Sequence, residues 1–100
     1  MIHTNNILAG GSHTVTVAWK KLDTATQGFR VLTMRLEDNA AGNVTIGLKN
    51  KFGWVETTDC YLKTDESWTF GPNAGTIRPS EIYLSGTADD KVGYIGVKVD

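Results

Sequence analysis

The strongest constraint on this chain is a two-residue alternation of apolar and polar side chains, broken about every ten residues by Gly, Asn, Asp or Pro. "FRVLTMRLE" places Leu32, Met34 and Leu36 on one side and Val31, Thr33, Arg35 and Glu37 on the other. "HTVTVAWK" does the same with Val15, Val17 and Trp19 against Thr14, Thr16 and Ala18. Further segments alternate Val44, Ile46 and Leu48, then Cys60 and Leu62, Trp68 and Phe70, and Ile82 and Leu84. A short strand is read around Val55, and the final stretch places Ile95, Val97 and Val99 on one face. Gly47, inside one such run, marks a bulge or a close approach of another group to the backbone. A pleated strand sends successive side chains to opposite faces, whereas a helix needs a 3.6-residue period, which is absent over any useful length.

The breaks carry turn chemistry. "DNAAGN" has the Asp, Asn and Gly of a hairpin connection, and "NKFG", "KTDE", "GPNAG" and "TADD" punctuate the later strands. Pro79 belongs at a strand start or an edge. About eight short strands follow, with no connection long enough for a helical crossover, so the pairing is antiparallel. The prediction is an all-β fold: an antiparallel β-sandwich, with the jelly roll among its forms and a small barrel as the alternative. One hundred residues make one domain. Residues 1–12 are polar and end in glycines, so they read as a flexible N-terminal arm, with the sandwich over 13–100. On that reading, removing residues 1–11 leaves folding intact.

Composition excludes several functions. A net charge of −1 offers no field for a phosphate backbone, so nucleic acid is not expected as a partner. No run of about 18 apolar residues exists, so no transmembrane helix is expected. The first residues lack the basic and apolar regions of a signal peptide. The initial Met and the strand-like ending "GVKVD" read as a complete product. "NVT" at 43–45 is then a chance match to the glycosylation pattern. Cys60 is the single cysteine, which rules out an intramolecular disulfide and reads as a small buried apolar residue. Its possible histidine partners for nucleophilic chemistry are His3, in the arm, and His13, at the edge of the first strand.

The candidate motifs weigh mostly toward structure. Trp68 and Phe70 share a face and read as core. Asp65 and Glu66 sit side by side in a turn and do not form the facing carboxylates of a glycosidase. Asp89 and Asp90 fall far short of the six or so oxygen ligands of a calcium site and read as a solvated turn. Two histidines and one cysteine make no zinc set, and no cofactor is expected. Phe52 and Trp54, flanking Gly53 in a turn, are the candidate contact residues. They either cap an open end of the sandwich or present an exposed apolar surface to a partner subunit or a sugar.

From "GNVTIGLKN", through a Y-L strand and an "ES-W-T-F" strand, to "SEIYLSGTADDKVGYIGVKV", residues 30–100 resemble small virion proteins of tailed bacteriophages and prophages. The resemblance implies a β-sandwich or jelly roll built into the particle. Such proteins are capsid decorations, head-fibre bases or tail accessories without enzymatic activity. It implies a homo-oligomer that binds repeated capsid or tail subunits, most fittingly as a head decoration protein, in a virion assembled in the host cytoplasm. No membrane is expected as a partner, no individual site residue carries over, and the N-terminal arm joins the Phe52–Trp54 turn as a candidate contact, so that removing residues 1–11 would weaken assembly. The alternative is a carbohydrate-binding β-sandwich module used in adhesion, since such modules expose Trp and Tyr.

Overall fold

The computed structural model describes residues 8–24, 26–49, 52–71 and 75–98. His3, Val99 and the centre of the "GPNAG" turn lie outside the described residues. The strands in chain order are β1 (Leu8–Thr14), β2 (Lys20–Lys21), β3 (Phe29–Leu36), β4 (Val44–Lys49), β5 (Val55–Leu62), β6 (Ser67–Phe70), β7 (Ile82–Ser85) and β8 (Lys91–Lys98). They form two four-stranded antiparallel sheets, β1-β8-β3-β6 and β2-β7-β4-β5. A 3-10 turn, Pro79–Glu81, leads into β7, with Pro79 buried at its start.

The pairing is nested: β1 with β8, β2 with β7, β3 with β6 and β4 with β5. Only β4 and β5 are neighbours both in the chain and in a sheet. The "DNAAGN" segment is therefore not a hairpin, because it carries the chain from β3 in one sheet to β4 in the other. Local turn chemistry bends the chain equally well in both cases, and only the long-range pairing separates them.

The core lies between the sheets. Leu32, Met34, Leu36 and Val92 from the first sheet meet Val44, Ile46, Leu62, Ile82 and Leu84 from the second in one buried cluster. Alternation foresaw the inward sides of β3, β4 and β7. Phe29 has the opposite parity to Leu32 yet is buried, because the register between β3 and β8 shifts between Phe29 and Val31. Main-chain bonds exchanged by Phe29 and Ile77, at 2.7 and 2.8 Å, hold that end.

Three expectations are corrected. Residues 8–12 are not an arm: they belong to β1, which pairs along its whole length with β8. Removing residues 1–11 would delete part of a strand, because the alternation there is hidden by Gly10 and Gly11, which carry no side chain to reveal a face. The stretch after Thr14 is not strand. Val15 stays buried, but Val17 turns to solvent while the chain crosses to the second sheet. On β8, Val92, Tyr94 and Gly96 face inward, and Ile95 and Val97 lie on the outer face.

Candidate interaction surface

The β4–β5 hairpin carries the two residues singled out by sequence. Phe52 and Trp54 are 69% and 71% exposed, so they do not cap the sandwich. Their rings lie 6.1 Å apart at 40°. Gly53 between them has φ +89, a left-handed backbone that glycine adopts without penalty and that lets both rings flank the bend. The pair is thus a presented apolar tip.

A second aromatic feature lies close by in the fold and was not legible in the sequence. Trp19 leaves the loop after β1 and lays its six-membered ring over Gly47 of β4. A Cβ on Gly47 would stand 2.8 Å from the Trp19 ring and 2.8 Å from Val55. Gly47 was read as a bulge or a close approach, and it is both. The β4–β5 register shifts between Ile46 and Gly47, and the Thr58 hydroxyl donates to the Ile46 carbonyl at 2.8 Å to stitch the irregularity. The loop that brings Trp19 there is held by the Ser85 hydroxyl, which donates to the Val17 carbonyl at 2.5 Å. Val55, next in the chain to Trp54, meets the Trp19 ring's side of β4 at Gly47.

The strand around Trp68 sits differently from expectation. Trp68 and Phe70 face inward, opposite Met34 and Leu32, as a core reading requires. Yet β6 is the edge of its sheet and β5 the edge of the other. Between them is an apolar slot of about 220 Å³ lined by Ile46, Leu48, Thr58, Cys60, Trp68 and Phe70. Trp68 keeps 36% of its surface exposed and Leu48 42%. Cys60 is half-buried against the core at this slot, not fully enclosed.

The polar candidates resolve into structural roles. Asp65 takes a left-handed backbone and pairs with Arg35, while the Glu66 carboxylate accepts the Lys63 N–H at 3.0 Å, closing the predicted turn. Asp90 is not a solvated turn residue. It is 6% exposed, and its carboxylate accepts the N–H groups of Ala41 at 3.0 Å and Gly42 at 3.2 Å. It thereby ties the β3–β4 loop to the turn before β8. Among the described residues no three His, Cys, Asp or Glu side chains come together to hold a metal.

His13 is buried on β1, while Cys60 lies on β5 of the other sheet. His13 Nδ1 stands 3.2 Å from the Leu22 carbonyl, which can only accept, so Nδ1 carries the proton. Nε2 is buried and has no hydrogen-bond partner among the described residues. Nearby, the Tyr94 hydroxyl donates to Asp23. Burial first, and then that bond, raise the Tyr94 pKa to about 12. Burial lowers the His13 pKa below its ordinary value, with Lys20 adding to the effect and the Leu22 carbonyl opposing it. The folded state therefore binds fewer protons at this ring than the unfolded chain. The contribution is intact above the unfolded value of about 6.5 and is lost as pH falls below it. Thermal midpoints should fall from about pH 7.5 to about pH 5, and His13→Phe should flatten that slope by the linkage of one histidine. An unchanged slope would show that His13 accommodates the proton.

No protein-family model matches the sequence, and comparison with curated proteins gives no match. Solved structures do match the fold. The SPBc2 prophage-derived protein YomS superposes with a TM-score of 0.56 at 21% identity, over 97% of this chain and 98% of that one. A protein of Bacillus endospore appendages, described as a family of disulfide-linked pili, superposes with a TM-score of 0.51 at 15% identity, over 95% of this chain and 88% of that one.

Proposed function

We propose that this chain is a non-enzymatic structural subunit of a repetitive assembly, and within that class a phage or prophage virion protein that binds capsid or tail subunits. Head decoration is the role we favour. The observation that carries the reading is the end-to-end likeness to a prophage-derived protein, in which almost the whole of each chain is covered. The pilus protein supports the coarser half, since it too has this fold in a repeating structure. We read the nested strand pairing as a jelly roll, an architecture used in viral capsids. The exposed Phe52–Trp54 turn supports binding. A rigid sandwich can hold such a tip toward each copy of a repeated partner, and repetition turns a small contact into high avidity.

Particles purified on a density gradient after prophage induction test the reading. Peptide mass spectrometry should find this chain co-migrating with capsid and tail proteins at comparable copy number, and Phe52→Ala/Trp54→Ala should shift it to the soluble fraction. Its absence from washed particles would refute the reading.

The exposure of Trp54, with the flat Trp19 ring beside Val55, also favours a second reading, a glycan-binding surface. Tryptophan fluorescence during glycan titration, lost in Trp54→Ala, would support it.

A further inference from the structure

The outer face of the β1-β8-β3-β6 sheet is an apolar surface of unusual make-up. Register aligns it in three rows across the strands. Leu8, Val97 and Val31 form the first; Gly10, Ile95, Thr33 and Thr69 the second; Ser12, Gly93, Arg35 and Ser67 the third. Leu8 and Ile95 are 65% and 55% exposed. A solvent-facing sheet surface ordinarily carries charges that keep copies apart. Here Arg35 is the only charged residue in the three rows.

Three of the polar side chains on this face already have partners. The hydroxyls of Thr33 and Thr69 bond each other at 2.9 Å, and Arg35 pairs with Asp65. Just beyond the third row, Lys91 reaches the Thr14 hydroxyl, and its main-chain N–H donates to the Glu37 carboxylate. Arg35 is thus matched by a carboxylate and the Lys91 ammonium by a hydroxyl, with the Glu37 carboxylate beside it, so covering the face leaves little unbalanced charge. The glycines and serines keep it low enough for close approach.

We propose that this face binds the same face of a second copy of this chain, the two sheets stacking about 10 Å apart as sheets do inside a sandwich. Charge selects the occupant. A surface that meets itself must not repel itself, and this one pairs its charges internally. A nucleic acid would need surplus cations, and a sugar would need an aromatic ring, which the three rows lack. Size sets the strength. Four strands by three rows span roughly 19 by 20 Å, about 400 Å² per copy, below the roughly 1,000 Å² total that marks a stable interface. The dimer is therefore weak and concentration-dependent alone, and its role would be to join copies already crowded together. The inference rests on this face and does not depend on the particle reading.

Analytical ultracentrifugation from about 10 μM to about 1 mM tests it, a range that brackets contacts of this size. Wild type should show reversible monomer–dimer association. Ile95→Lys places a charge at the centre of both faces and should weaken association at least about tenfold. Ile95→Thr, a good strand residue at the same half-exposed site, should weaken it less and covers the case in which the lysine variant misfolds. Trp54→Ala, on the opposite sheet's hairpin, should leave association unchanged. A wild type that stays monomeric throughout overturns the proposal. So does association that survives both Ile95 variants, or that is lost only in Trp54→Ala, which would place the contact at the hairpin.

Discussion

Phe29→Ala should lower the free energy of unfolding by about 3–5 kcal/mol, the range for truncating a buried aromatic side chain. Phe29 is 2% exposed, meets Tyr94 edge to face at 6.2 Å and 82°, and lies over Gly96. Its ring fills the space that a side chain at position 96 would otherwise occupy. Removing it opens a cavity floored by a glycine, and a β-sheet backbone cannot collapse into that space as a flexible side chain would. Domains of this size are stable by only about 5–15 kcal/mol, so the variant should lose about a fifth or more of its margin. In temperature that is a midpoint lower by more than about 12 °C. Urea unfolding and calorimetry would measure it. A loss below about 1.5 kcal/mol would mean that the neighbours close over the gap, contrary to the backbone argument.

Gly96→Val is the converse experiment on the same contact. A Cβ at position 96 would stand 2.3 Å from the Val31 carbonyl oxygen and 2.6 Å from the Phe29 ring. The first of these is main chain in the central β3–β8 ladder and cannot move without breaking register. Overpacking costs about 1–3 kcal/mol in ordinary cores and occasionally more. The valine variant should reach or exceed the upper end, and Gly96→Ala should already show most of the loss, since the Cβ is the offending atom. Gly93, on the outer face of the same strand, provides the control. Nothing lies within 4 Å of its would-be Cβ. Gly93→Ala should be neutral or stabilise by up to about 1 kcal/mol, through lower entropy of the unfolded chain. Equal losses at both glycines would assign the effect to strand propensity and not to the clash.

The candidate tip could be named from local evidence, but that it is exposed and does not cap the sandwich only the structure decided. Phe52 and Trp54 flank a glycine in a turn, and large rings beside a left-handed bend have little core to enter. Trp19 was not legible. Its parity grouped it with Val15, but the strand ends at Thr14, and the ring comes to rest on the outside of the other sheet. The one available signal was Gly47, whose missing side chain announces that something approaches without saying what. Asp90 was misread for a related reason. A pair of aspartates in a turn looks solvated until the β3–β4 loop is brought alongside to donate its N–H groups.

Alternation by itself determined that the chain is all-β, where most strands run, and which sides of β3, β4 and β7 face inward, because pleating couples side-chain direction to sequence parity. Turn residues determined where the chain bends. Tertiary structure decided which strand each bend leads to, since a turn has the same chemistry whether its strands pair or part. It also decided which apolar face of β8 is inside. Both faces carry apolar residues, and the chain buries Val92, Tyr94 and Gly96 because Phe29, shifted in register from the next strand, completes that side. Ile95 and Val97 are left outward, on the surface where a second copy is proposed to dock.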